Sequence, residues 1–436
     1  MAIVELPDLP KGKEFEEYIS AFFQSGGYYI ERNIIEREAQ EVLELDIITT
    51  DYRWCPPQIQ LLEVKSRDWG FRDLFKVRGW MHYLNMAKGV FIASEAPGDL
   101  DFCKDKAKRL DIDLIVIPDL NRTQEELSGL MPNQDIEDVD ISTWRFSYWV
   151  ERNLLKRLKH KKKSHPDKKC FQALEDYYFQ VNSGTFFAET IVQKVDKLYS
   201  TFQKYPRISA KCGNELMGKS FDGYYDTLPE QLYNETFYKC HYNDIQVSTF
   251  IEHLARLAIL KNAVDYKLYK DAGITDKTDS LFKILGHEFS LIDLLPGSFR
   301  EGLDAVSKNE HFHRYPIFWQ WFMWIFGGFI LKDYEEMEYE ILSQKAGIPP
   351  EEIPNALQSY QLLFPIDDGW FMESPNSNIK MMKMFPVPFW GVGANYRRLL
   401  YTESKEFEDL KLTGMHTLRD LIKWNNLTVE VLQNHQ

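Results

Sequence analysis

Asp46, in the run EVLELDII, and the pair Glu63 and Lys65, in QIQLLEVKS, are the residues whose types and spacing point most directly to chemistry. Side chains two apart share one face of a strand. Glu63 and Lys65 therefore point the same way, while Leu62 and Val64 enter the opposite layer. If the two runs are neighbouring strands, Asp46 approaches Glu63. Two carboxylates beside a lysine suit hydrolysis of a phosphodiester, which needs a hard cation at the scissile phosphate and an activated water. Mg2+ prefers oxygen ligands and keeps several waters. Asp46 and Glu63 are the candidate carboxylate ligands, and the main-chain carbonyl of Val64 is the candidate third. Lys65 orients or deprotonates the attacking water, or stabilises charge on the phosphoryl oxygens.

These residues need a scaffold, and the pattern around them supplies one. Lys11–Ser25 reads as a helix with an apolar stripe of Phe15, Ile19, Phe22 and Phe23, stopped by Gly26-Gly27. Glu16 sits at the edge of that stripe, able to reach a site on a sheet, whereas Glu17 turns about 100° further, toward solvent. Tyr28–Glu36, Val42–Thr49 and Gln58–Lys65 read as strands; the second carries Leu43, Leu45 and Ile47 on one face and Glu44 and Asp46 on the other. A helix over Phe71–Met86, a strand over Gly89–Ala93, a helix over Leu100–Leu110 and a strand over Ile112–Ile117 complete the unit. The order predicts a mixed sheet flanked by helices.

With these motifs in hand, the first 110 or so residues resemble the PD-(D/E)xK nuclease superfamily, in its Mrr-like restriction endonuclease branch. GKEFE at Gly12–Glu16, GGYYIE at Gly26–Glu31, ELDII at Glu44–Ile48, LLEVKS at Leu61–Ser66 and the tail Lys88–Leu120 carry the likeness. The resemblance implies a restriction-endonuclease-like α/β fold, DNA cleavage with Mg2+ (or Mn2+ in its place), and a role in defence against foreign DNA. It makes Asp46, Glu63 and Lys65 the signature residues and Glu16 the helix carboxylate. Leu45 stands where the family has proline. Many relatives also carry a glutamine in the helix after the lysine, where this chain reads DLFKVRGW, with Lys76 and Arg78. Arg78 is the candidate phosphate contact there.

The chain has 436 residues and a formal net charge of −14, which argues against a protein that coats nucleic acid. Residues 1–120 carry 15 Lys or Arg against 22 Asp or Glu, so the candidate catalytic region is itself acidic. The exception is the run Lys156–Lys169, with eight basic residues and one acid. It is either a solvated helix end or a phosphate-contacting patch for DNA built on Lys159, Lys161, Lys162 and Lys163. GNELMGKS at Gly213–Ser220 fits the letter of a phosphate-binding loop, but neither a strand precedes it nor a helix follows it, and it reads as coincidence. The five cysteines form no C-x-x-C pair and no secretory signal is visible, so the expectation is a cytoplasmic protein with reduced thiols. Ile317–Leu331 is apolar but short of the roughly 20 residues of a spanning helix, and reads as buried segments with no membrane partner.

The expected organisation is a nuclease domain over 1–122, a linker over 123–140, a mainly helical domain over 141–300, and an aromatic-rich mixed or helical region over 301–436. The C-terminal part is expected to recognise substrate, a protein partner or a second copy. Two other functions share the same residues: a catalytically inactive nuclease fold used for DNA binding or assembly, and an exonuclease or RNase using the same metal site.

Overall fold

The computed structural model describes residues 9–37, 40–133, 135–164, 168–188, 190–202, 235–274, 295–366, 369–373, 379–382 and 387–401. The chain divides into two compact units, Glu5–Arg145 and Phe146 onward.

The N-terminal unit runs α1 (Lys13–Ser25), β1 (Tyr29–Arg37), β2 (Glu41–Asp51), β3 (Gln58–Lys65), α2 (Phe71–Tyr83), β4 (Gly89–Ala93), α3 (Leu100–Lys108) and β5 (Ile112–Val116). The five strands lie in sequence order. β1, β2 and β3 pair antiparallel, and β3, β4 and β5 pair parallel, each parallel step crossing over through a helix. β4 is buried along its whole length and is uniformly apolar, as a strand covered on both faces must be. In β2 the buried residues Leu43, Leu45 and Ile47 alternate with Glu44 and Asp46. This period of two turns Asp46 away from the apolar layer.

The stretch expected as a linker is folded. Residues 120–130 form a succession of short helical turns with Thr123–Leu127 as α4. Leu127 and Met131 are buried. The Tyr28 hydroxyl donates to the Leu130 carbonyl at 2.6 Å, and the Tyr18 hydroxyl donates to Thr123 Oγ1 at 3.0 Å. Polar composition suggested a loop, but its few apolar and hydroxyl side chains anchor it over α1. The division between units falls at Arg145/Phe146, inside α5 (Asp138–Ser164). The break expected near residue 300 has no counterpart in that division.

The second unit is mainly helical. Helices span Lys168–Phe179, Glu235–Asp271, Gly297–Val306, Glu335–Ala346, Ile353–Leu363 and Val387–Tyr401, beside a small antiparallel sheet ordered β6 (Phe329–Leu331), β8 (Ile379–Met382), β7 (Phe371–Glu373). Ile317–Leu331 is a helix end, a π-turn at Trp321–Ile325 and β6, all buried. Among the described residues no helix is long and apolar enough to cross a membrane. Arg397 is buried here with its charge answered: it pairs with Glu338 and donates to the carbonyls of Phe326 (2.9 Å) and Phe329 (2.6 Å). A buried guanidinium is tolerated only with such partners.

Candidate functional site

The site begins where two strands part. β2 and β3 pair from Asp51↔Gln58 to Ile47↔Leu62 and then stop. β3 continues against β4 as far as Lys65↔Ala93. Val64 thus has no strand partner on its β2 side, and its amide donates instead to Asp46 Oδ2 at 3.0 Å. The N–H and C=O of one strand residue point to the same side, so the Val64 carbonyl faces the same gap. On the other flank, β1 passes from Arg32↔Ile47 to Ile34↔Leu45, and the intervening Asn33 has φ 52. Asparagine tolerates this left-handed backbone better than most residues. The ladder is interrupted on both sides of Asp46.

Lys65 Nζ lies 2.5 Å from Glu63 Oε1 and 4.0 Å from Asp46 Oδ2, so the three signature side chains share one face as the strand period requires. Lys76, from α2, brings a second ammonium to 3.6 Å from Glu63 Oε1. Glu63 is 1% exposed. Its Oε1 pairs with Lys65, and Oε2 has no hydrogen-bond partner among the described residues. Burial, then the Asp46 carboxylate, push the Glu63 carboxyl up to about 7 despite Lys65 and Lys76. Burial works against the Lys65 ammonium, but Glu63 and Asp46 outweigh it and hold the pKa above the ordinary lysine value.

Glu16 belongs to the same electrostatic group. Burial, then Asp46, push its carboxyl up to about 7, with Glu44 adding and Lys13 and Lys65 opposing. Its helix packs a buried face of Phe15, Ile19, Phe22 and Phe23, and the Gly12 amide just before it donates to Ser66 Oγ at 2.6 Å. Gly12 has φ 56 and ψ −129, a backbone conformation that favours glycine. Glu17 departs from expectation. It is 6% exposed and does not face solvent. The segment beginning at Leu120 meets α1 at Tyr18, whose hydroxyl bonds the Leu120 carbonyl and Thr123 Oγ1.

Arg78 also departs. It pairs with Asp111 at 3.0 Å, at the start of β5, the opposite end of the parallel strands from Lys65. α2 runs back along the sheet after β3, so only its first turns lie near the end of β3. Lys76 therefore reaches the carboxylates and Arg78 does not. Axial position along α2 separates Lys76 from Arg78. Of the basic run, Lys156–Ser164 forms the end of α5. Lys159 is exposed, and the side chains of Lys161, Lys162 and Lys163 lie outside those described. GNELMGKS lies outside the described residues.

Among the described residues, no three His, Cys, Asp or Glu side chains are grouped so as to hold a metal ion by themselves. The donor set here is smaller: two carboxylates and a main-chain carbonyl. Its chemistry fits a hard divalent cation, because every donor is oxygen and the remaining ligands of Mg2+ are ordinarily water. Oε2 of Glu63 is buried with no hydrogen-bond partner among the described residues, and burial first, then Asp46, push the Glu63 and Glu16 carboxyls up. Comparison with protein-family models, with curated proteins and with solved structures finds no match to this chain.

Proposed function

We propose that the N-terminal unit is a restriction-endonuclease-like, metal-dependent nuclease that hydrolyses phosphodiester bonds in DNA. One observation carries this reading: Asp46, Glu63 and Lys65 converge at the point where β2 and β3 separate, beside the Val64 main chain. Asp46, Glu63 and the Val64 carbonyl would hold Mg2+ or Mn2+. A cation bound there polarises the phosphate and acidifies a water. Lys65 orients or deprotonates that water, or neutralises charge growing on the phosphoryl oxygens. Glu16, balanced near neutral pH between its two protonation states, exchanges a proton with water at the edge of the site. The second unit selects the substrate or a partner, with the basic end of α5 contributing phosphate contacts.

A second reading is a nuclease fold that binds without cutting. It draws on the two ammoniums already facing Glu63 and on the lack of a three-ligand metal group among the described residues. Incubation of full-length protein with supercoiled plasmid, with and without Mg2+, separates the possibilities. Mg2+-dependent nicking or linearisation supports the endonuclease. Loss only from the ends of linear DNA marks an exonuclease, cleavage of RNA alone an RNase, and binding without cleavage the module.

A further inference from the structure

The outward face of α2 is unlike the rest of the acidic unit that carries it. Leu74, Val77 and Met81 are buried toward the sheet. Arg72, Phe75, Lys76 and Gly79 are all exposed. At about 100° per residue they fall within one arc of about 100°. Phe75 is 62% exposed, and a Cβ added at Gly79 would meet nothing within 4 Å. Asp73, in the first turn of α2, is turned back to accept from the Gly70 amide at 2.9 Å. Lys76 joins the face to the candidate site through its 3.6 Å approach to Glu63.

We propose that this face of α2 is the strand-binding surface of the site, and that its occupant is a single nucleic-acid strand with an unstacked base beside the scissile phosphate. The inference rests on the nuclease reading and narrows its substrate. Charge selects the class of occupant: Arg72 and Lys76 make a locally basic face in a unit with 15 basic against 22 acidic residues over positions 1–120, and such a face attracts a polyanion. Phe75 selects its state. Every base has a π-face that can stack on an exposed ring, but a base inside a duplex is already stacked between neighbours and cannot reach one. Arg72 lies one turn before Phe75 on this face and Lys76 one residue after it, so phosphates on either side of such a base would pass near both. Gly79, lacking a side chain, leaves room for the backbone to approach the helix.

The test is fluorescence anisotropy of labelled oligonucleotides with full-length protein in Ca2+. The probes are single-stranded DNA, a duplex with a single-stranded flap, a blunt duplex and single-stranded RNA. Single-stranded and flapped DNA should bind about tenfold more tightly than the blunt duplex. F75A should remove that preference, F75W should retain it, and R72E should weaken binding to every probe with a shallower salt dependence. RNA bound as tightly as single-stranded DNA keeps the proposal and identifies the sugar as unread. A blunt duplex bound as well as the single strand, or F75A without effect while wild type still binds and cleaves, overturns the proposal and leaves the nuclease reading standing. Wild type that neither binds nor cleaves any probe in Ca2+ or Mg2+ overturns both. Circular dichroism of each variant checks folding, and all substituted side chains are exposed.

Discussion

The Gly12 amide donates to the Ser66 hydroxyl at 2.6 Å, tying the start of α1 to the end of β3. This contact joins the two motifs, GKEFE and LLEVKS, that are 54 residues apart in sequence, and it sets where Glu16 stands relative to Lys65. G12A meets no steric obstacle but must hold φ 56 with a side chain attached. We expect a loss of about 1–3 kcal/mol of stability, read by denaturant unfolding. S66A removes only an exposed hydrogen bond and should cost at most about 1 kcal/mol. Equal, negligible effects would mean that the buried face of α1 fixes the helix without this bond.

D46N, E63Q and K65A should each lower Mg2+-dependent cleavage by roughly a hundred- to a thousandfold, the scale of losing one charge-stabilising group. Added Mg2+ should partly rescue E63Q, where the defect is cation affinity, and should not rescue K65A. DNA binding in Ca2+ should survive K65A. E16Q should do less than any of them. Full cleavage by both the Asp46 and Lys65 variants would refute the site.

The raised carboxyls predict two pH dependences. Glu63 holds its proton up to about pH 7 in the folded chain, against about 4.5 in an ordinary carboxyl. Protonation therefore favours the folded state fully below about pH 4.5, and this contribution is lost as pH rises through 7. The thermal midpoint in EDTA should fall between pH 5 and pH 8, and E63Q should flatten the fall. Mg2+ binding must displace the same proton, so affinity measured by calorimetry should rise over this range with proton release. Affinity independent of pH would remove Glu63 from the ligand set.

Replacing Lys159, Lys161, Lys162 and Lys163 together with glutamine should weaken DNA binding at low salt and flatten its dependence on salt, leaving Mg2+ affinity unchanged. An unaltered salt slope would return this end of α5 to the status of a solvated helix terminus.

Leu127 tests the folded segment that polar composition disguises. It is fully buried, so L127A should cost about 2–5 kcal/mol, and limited proteolysis should spare residues 120–131. Early cuts in that stretch and a silent L127A would contradict its packing against α1.

The strands around the site were legible because their chemistry is local. Alternation in EVLELDII and QIQLLEVKS fixes which side chains share a face, whatever surrounds them. The 120–131 segment was not legible because what anchors it lies about 100 residues away in sequence, as the Tyr18–Thr123 bond across 105 residues illustrates; the burial of Glu17 likewise depends on tertiary neighbours that helical phase does not contain. The exchange of Lys76 for Arg78 has another cause. Helical phase tells which way a side chain points, but the distance from the helix start to the end of β3 decides what it can reach. In Ile317–Leu331 hydropathy identifies the burial, but the strand at its end, β6, forms only against Ile379–Met382, far along the chain.

The parting of β2 and β3 at Ile47↔Leu62 also determines where this chain tolerates insertions. The connection Tyr52–Pro57 lies beyond the far end of that ladder, so residues gained or lost there leave every pairing as it is. A single residue inserted between Ile47 and Asp51 has a different result. It slips β2 by one against β3 and exchanges the faces of Leu45 and Asp46, burying a carboxylate in the apolar layer and turning a leucine toward Lys65. Length variation between this chain and any chain sharing the site should therefore collect in the turn, and the ladder should read as a fixed count of residues from Asp46 to Asp51 and from Gln58 to Glu63.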